Sequence, residues 1–252
     1  MGKKSFKHQI ILSSSYSTHT RIGLDIVDDV DAFEKAMTAV RGTYDGKPVP
    51  FSVHSMTTDS ESWESVVSKD PYFDDVSIVQ SVSEFVDLIG RERYLKGIDV
   101  ARYILSKRRC SHTKLEKLVY LCYADYLCET GDPLFTDRIF AFQYGPVVET
   151  VYRRYKERDQ PEFHEIEPML DKKYRWTKAE PMAIRSRLLF SEDGIRKTYS
   201  IDRTLEKYIG MTAEELVGLT HRRNAPWTHV ERVGWYDVIS DDTIMKYHRY
   251  EV

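Results

Sequence analysis

The chain has 252 residues, with 37 Lys plus Arg against 40 Asp plus Glu and 41% hydrophobic side chains. That length fits one large domain or two small ones at ~150 residues per domain, and its apolar content with a net charge of −3 excludes a fully disordered chain. Near-neutrality excludes coating of nucleic acid by bulk charge, though not a local basic patch, and no run approaches the ~18 consecutive apolar residues of a membrane span.

The totals hide a compositional step near Gly90. Residues 1–90 carry 8 Lys/Arg and 14 Asp/Glu, and residues 91–252 carry 29 and 26, so their net charges are −6 and +3. Ser is concentrated before the step, with 14 of 20, and Tyr after it, with 14 of 17. Such a shift marks a domain boundary. We expect an acidic α+β extension over residues 1–90 and a mainly helical domain over residues 91–252. In the extension, Gln9 to Leu12 is a candidate strand, and Ile22, Leu24 and Ile26 alternate at the period of a half-buried one. Asp28 or Asp29 offers an N-cap, Val30, Phe33, Met37 and Val40 recur at helical spacing, and Gly42 stands where that helix should stop. Val49, Phe51 and Val53 alternate again after Pro48, and Val76 to Gln80 reads as a further strand. The order predicts a small α/β domain with an antiparallel or mixed sheet carrying a helix on one face.

Helical signals dominate the remainder of the chain. Asp99 is a candidate cap for a helix through Val100, Ile104 and Leu105. Thr113 and Glu116 have capping-box spacing. Leu115, Leu118, Val119, Cys122, Tyr126 and Leu127 then share one face, and Gly131 ends the helix. An extended run from Ile139 to Tyr144 leads to Gly145-Pro146, which should turn the chain into a helix over Val147 to Tyr155 with proline in its first turn. Thr212 and Glu215 form a second box, and Ser240 caps a last helix through Ile244 and Tyr247. The fold class expected for the whole chain is α+β.

Little in the pattern points to catalysis or to a bound group. Cys110, His112, Cys122 and Cys128 lack the close Cys pair of a metal knuckle, and Cys122 lies on an apolar helix face, where a thiol acts as a small hydrophobe. The three cysteines are too close together for a disulfide framework, and no apolar signal-peptide core follows the basic start, so a reduced, cytoplasmic protein is expected. His221 and His229 are separated by a Pro-Trp loop and make no better ligand pair. There is no Gly-x-Ser-x-Gly elbow, no catalytic-cysteine context and no Gly-rich phosphate loop. No catalytic residue, metal or cofactor is expected, and the chain is read as a non-enzyme. Among the basic clusters, Arg153, Arg154 and Lys156, with Arg158 and the interleaved Tyr152 and Tyr155, suit a nucleic-acid backbone. The plainer reading is a solvated helix face in which Arg153 pairs with Glu157.

The second part resembles the Panacea antitoxin domain, also described as SocA-like or phage-associated. The resemblance rests on Lys114-Leu115-Glu116-Lys117-Leu118-Val119-Tyr120-Leu121-Cys122-Tyr123-Ala124, on Thr130-Gly131-Asp132-Pro133-Leu134-Phe135, and on Ala141-Phe142-Gln143-Tyr144-Gly145-Pro146-Val147-Val148 with Val151-Tyr152. Leu216-Val217-Gly218-Leu219-Thr220-His221, Ala225-Pro226-Trp227 and Ile239-Ser240 come after them in family order, and the blocks span about residues 98–250. The resemblance implies a compact, mostly helical antitoxin domain from a bacterial or phage (prophage) toxin–antitoxin pair. Its partner would be a cognate protein toxin, encoded by the adjacent gene and neutralised by direct protein–protein contact. In one branch of the family the domain is a protease adaptor that delivers its toxin for degradation. Tyr144, Gly145, Pro146, Val147, Thr220, His221, Pro226 and Trp227 are then structural or partner-binding residues, with a structural role favoured. Residues 1–90 lie outside the shared domain and are a candidate for toxin specificity. The alternative from another class is a nucleic-acid-binding regulator using Arg153, Arg154 and Lys156. A homo-oligomer stays open, and no membrane partner is expected.

Overall fold

Apolar alternation near the start of the chain becomes a four-stranded sheet. A computed structural model describes residues 4–15, 20–43, 51–156, 165–166, 180–230 and 237–252, and the chain divides into two compact units, Met1–Arg93 and Tyr94–Val252. Pro48, Val49, Glu157 and Arg158, each used in the sequence reading, lie outside the described residues.

The first unit runs β1 (Phe6–Ser15), β2 (Thr20–Val27), α1 (Val30–Gly42), β3 (Phe51–Thr58), α2 (Trp63–Lys69), β4 (Val76–Ile78) and α3 (Val82–Arg91). The sheet order is β3-β1-β2-β4. β1 pairs antiparallel with both β2 and β3, while β4 runs parallel to β2, so the sheet is mixed. Period-two alternation sends neighbouring side chains to opposite faces. Ile11, Ile22 and Leu24 pack with Ala36 and Val40 of α1 and with Phe85 and Ile89 of α3. Ile10, Leu12 and Val76 pack with Val66 of α2 and with Phe73. Helices therefore cover both faces, where the sequence reading placed one helix on one face. Helices α2 and α3 escaped it because each is short. Asp29 is the N-cap of α1, its carboxylate accepting from the Ala32 amide at 2.8 Å.

The second unit runs α4 (Gly97–Lys107), β5 (Cys110–Ser111), α5 (His112–Thr130), β6 (Ile139–Phe142), β7 (Gly145–Val148), α6 (Glu149–Tyr155), β8 (Glu165–Ile166), α7 (Glu180–Leu189), α8 (Gly194–Tyr208), α9 (Ala213–Thr220) and α10 (Asp241–Tyr247). Helix α5 is enclosed, with α4, α6, α8, α9, α10 and β7 packed around it. Its apolar residues are not confined to one face: Tyr120, Leu121, Tyr123 and Ala124 are buried as well as Leu115, Leu118, Val119 and Cys122. A helix apolar all round is an interior helix, not an amphipathic surface one.

Three local expectations need correction. The N-cap of α5 is Ser111, whose hydroxyl accepts from the Lys114 amide at 3.2 Å, rather than Thr113. Asp99 is not a cap but sits in the first turn of α4, reaching back to the Lys96 amide at 2.9 Å. Gly145-Pro146 opens a strand, not a helix. Gln143 and Tyr144 form a tight turn between Phe142 and Gly145, and α6 begins only at Glu149. Proline is tolerated in β7 because Ala141, opposite it, turns its own amide away to the Asp237 carbonyl at 2.9 Å. The caps read at Gly131, Thr212 with Glu215, and Ser240 are all present.

Candidate functional site

The motif blocks of the second unit converge on the β6–β7 hairpin. Helix α5 holds it from one side: the Val148 amide donates to Glu116 Oε2 at 2.9 Å, and Lys117 Nζ donates to the Pro146 carbonyl at 2.8 Å. Lys117 is only 1% exposed. An amine so deeply buried needs acceptors, and the Pro146 carbonyl of β7 is one. The end of α9 closes the other side. The Thr220 hydroxyl donates to the Val217 carbonyl at 3.0 Å, and His221 Nδ1 lies 2.7 Å from the same oxygen. His221 Nε2 faces the Gln143 carbonyl at 3.3 Å, and its ring centre is 3.9 Å from that of Trp227. Trp227 Nε1 donates to the Phe142 carbonyl at 2.8 Å.

Gly145 sits at the middle of this cluster with φ +100. A Cβ there would stand 2.6 Å from Thr220 Oγ1. Only glycine accepts both the backbone angle and the approach. Val147, Thr220 and Pro226 are buried, and Tyr144, at the hairpin tip, is 39% exposed. Gly145, Pro146, Thr220, His221 and Trp227 thus meet in space, and their contacts hold the hairpin.

The basic cluster on α6 lies beside the same hairpin. Arg153 pairs with Glu149 at 2.5 Å, and Arg138 lies 3.8 Å from the same carboxylate; the pairing read with Glu157 lies outside the described residues. The Lys156 ammonium sits 4.6 Å above the Tyr152 ring and hydrogen-bonds its hydroxyl. Glu149, Tyr152, Arg153 and Lys156, with Phe140, Phe142 and Val147, line a cleft of about 390 Å³. Glu149 interrupts the positive surface, which weakens the case for a phosphate track.

A buried polar cluster ties residues 248–251 to α5. Tyr120 donates to Glu251 Oε2 at 2.8 Å, His248 Nδ1 lies 2.7 Å from the same oxygen, and His248 Nε2 lies 2.8 Å from Asp125 Oδ1. The Thr204 hydroxyl donates to Asp125 Oδ2 at 2.7 Å. Burial works against the His248 imidazolium, but the bonds to Asp125 and Glu251 outweigh it and push its pKa up to about 9. Burial likewise opposes the Asp125 carboxylate, yet its bonds from His248 and Thr204 hold its pKa below the usual value. The sequence reading missed this cluster. Its signals were a lone acid among the apolar residues of α5 and a His and Glu three apart on the final turn.

In the first unit, Asp25 Oδ2, His8 Nδ1, His8 Nε2 and Thr58 Oγ1 stand in line, with contacts of 2.7 and 3.0 Å. The order is that of an acid–imidazole–hydroxyl relay. Thr58, however, gives its proton to the Ser60 carbonyl at 2.6 Å, and His8 is fully buried within the sheet. The contacts pin the turn after β3. Burial raises the Asp25 pKa. Among the described residues, no group of three or more His, Cys, Asp or Glu is placed to hold a metal ion. Cys122 is buried, and burial pushes the Cys128 thiol up to about 11. No described helix is long and apolar enough to cross a membrane.

Fold and site together define an α+β chain whose helical unit encloses one central helix and fastens a glycine-proline hairpin against it. Residues 115–228 match the family model described as antitoxin SocA-like, Panacea domain, the family that the ordered blocks resemble. The matched stretch holds Lys117, the β6–β7 hairpin, Thr220, His221 and Trp227, and lies wholly within the second unit. No curated protein and no solved structure matches the chain.

Proposed function

We propose that the chain is an antitoxin that neutralises a cognate protein toxin by direct binding, as a cytoplasmic protein with no catalytic step and no cofactor. The match of residues 115–228 to the SocA-like antitoxin domain carries this reading. The geometry supports it: the motif side chains are engaged in internal contacts that stiffen a hairpin, which is how a binding scaffold is made. The net charge of −6 over residues 1–90 suits a basic toxin, whose encounter it would accelerate. An inhibitor interface of standard size covers about 1,600 Å² in total.

Co-expression with the product of the adjacent gene is the test. Growth arrest by that product alone, relieved by this chain, is expected, with the two proteins purifying as a complex. A neighbour that is harmless alone, or one that stays toxic beside abundant soluble partner, overturns the reading. Rescue that occurs only while a cellular protease is present, with the toxin disappearing, would replace inhibition by delivery for degradation.

A further inference from the structure

The outer strand of the first unit's sheet, β3, is lightly guarded among the described residues: Lys69 reaches only its Thr57 end. β3 reads Phe-Ser-Val-His-Ser-Met-Thr-Thr, with no Lys, Arg, Asp, Glu or Pro, and pairs with β1 along all eight of its residues without a bulge. Exposed edges are ordinarily blunted by charge, proline, a bulge or brevity, because they invite another strand. The opposite edge, β4, is protected by brevity at three residues.

Register shows which groups point outward. The Asp28 amide donates to the Lys7 carbonyl at 2.9 Å, so the Lys7 backbone faces β2. Alternation then turns the backbones of His8, Ile10 and Leu12 toward β3, and those of their partners Met56, His54 and Ser52 toward β1. Val53, Ser55 and Thr57 aim their amides and carbonyls away from the sheet. Lys69 marks that side, its Nζ lying 2.5 Å from the Thr57 carbonyl. Among the described residues, no hydrogen bond reaches the outward amide or carbonyl of Val53 or Ser55.

The side-chain layer is open at the same place. Ile11 is fully buried, whereas Val53 directly opposite it on β3 is 45% exposed. Among the described residues, the apolar layer under α1 and α3 therefore runs out to the edge and leaves Val53 half open. A strand laid against β3 would set a side chain beside Val53 and complete it. Charge selects the source of that strand. Asp59, Glu61, Glu64 and Asp70 against Lys69 give residues 59–70 a net of −3, within a stretch of −6 over residues 1–90, so a second copy brings like charge and a basic protein brings opposite charge.

We propose that the edge of β3 receives an extended segment of the toxin by strand addition, a docking mode that rests on the antitoxin reading above. Backbone pairing supplies the affinity, and the open apolar layer at Val53 supplies selectivity for the incoming side chain.

The test uses the full chain, the adjacent gene's product as probe, and two variants. Val53→Pro removes an amide that makes no bond to β1, and proline is tolerated at such edge positions. Val53→Lys leaves the backbone intact and puts a charge where the new strand would lie. Both variants are expected to keep the wild-type circular dichroism spectrum and to bind about 10- to 100-fold more weakly, Val53→Pro by losing a backbone bond to the incoming strand and Val53→Lys by setting a charge against it. Amide exchange at Val53 and Ser55 should be fast in the free chain and slow in the complex. Folded variants that bind as well as wild type, or amides that exchange equally fast in the complex, sink strand addition while leaving the antitoxin reading intact. A wild-type chain that does not bind the probe at all removes both. A dimer of the chain alone that Val53→Lys dissolves assigns the edge to a second copy and overturns the proposal. If Val53→Pro does not fold, Val53→Lys and the exchange measurement still decide.

Discussion

Gly145→Ala should unfold the helical unit far more easily than an ordinary surface change. The new Cβ would lie 2.6 Å from Thr220 Oγ1, 3.0 Å from Lys117 Cε and 3.2 Å from His221 Cε1. None of these neighbours yields readily. Lys117 is held by the Pro146 carbonyl, Thr220 is fully buried, and His221 is wedged between the Val217 carbonyl and Trp227. Overpacking of this kind costs about 1–3 kcal/mol, and an alanine forced to the φ of +100 costs about 1–3 kcal/mol more. The expected loss is about 2–6 kcal/mol, a large share of the ~5–15 kcal/mol that holds a domain together. Urea denaturation of the full chain, followed by circular dichroism, measures it. A second change separates the two terms. Thr220→Ala in the Gly145→Ala background removes the closest contact but not the backbone strain, so the pair should cost less than the two single losses added together. An unfolding midpoint for Gly145→Ala equal to wild type would refute the reasoning, and so would strict additivity with Thr220→Ala.

The buried imidazole predicts a pH profile. His248 has a folded pKa of about 9 against an ordinary 6.5, so its stabilisation is complete below pH 6.5 and is lost as pH rises through 9. The amplitude is about 3 kcal/mol, and melting temperatures between pH 6 and pH 10 should fall in wild type and flatten in His248→Gln. Tyr120→Phe removes the hydroxyl that donates to Glu251 at 2.8 Å and should cost about 1–3 kcal/mol, read from the same melts. Cysteine reactivity should separate by burial. Cys110 and Cys122 are buried and should resist iodoacetamide in the native chain, whereas exposed Cys128 should react slowly at pH 7 and faster as pH approaches 11. Peptide mapping of the labelled chain checks this, and rapid native labelling of Cys122 would contradict the enclosed central helix.

Elements with strong local grammar were legible. The boxed cap at Thr212 and Glu215, the left-handed stop at Gly131 and the strand alternation of β2 all arise from side chains within a few residues of one another. Failures came where a residue's partner is remote. Glu116 has the spacing to complete a box with Thr113 but serves the Val148 amide across 32 positions, and the cap falls instead to Ser111. Gly145-Pro146 has the composition of a helix start, and its strand role depends on Asp237 taking the Ala141 amide. The site behaved likewise. The family blocks named Thr220, His221 and Trp227, but that they meet at one glycine depends on how α9 and the hairpin lie against α5. The cluster of Asp125, Thr204, His248 and Glu251 had no motif at all, because its members come from three distant segments.

That cluster bears on how the protein is made. Tyr120 and Glu251 are 131 positions apart in the chain, and Asp125 and His248 are 123 apart. Helix α5 therefore emerges from the ribosome long before the groups that neutralise its buried polar atoms exist. At about 5–20 residues per second, roughly 6–26 s of synthesis separate the two. Throughout that interval Asp125 has Thr204 at most and lacks its imidazolium partner, and the Tyr120 hydroxyl lacks its acceptor. Native packing of this unit waits on residues 248–251. A nascent chain stopped short of them should remain a target for proteolysis.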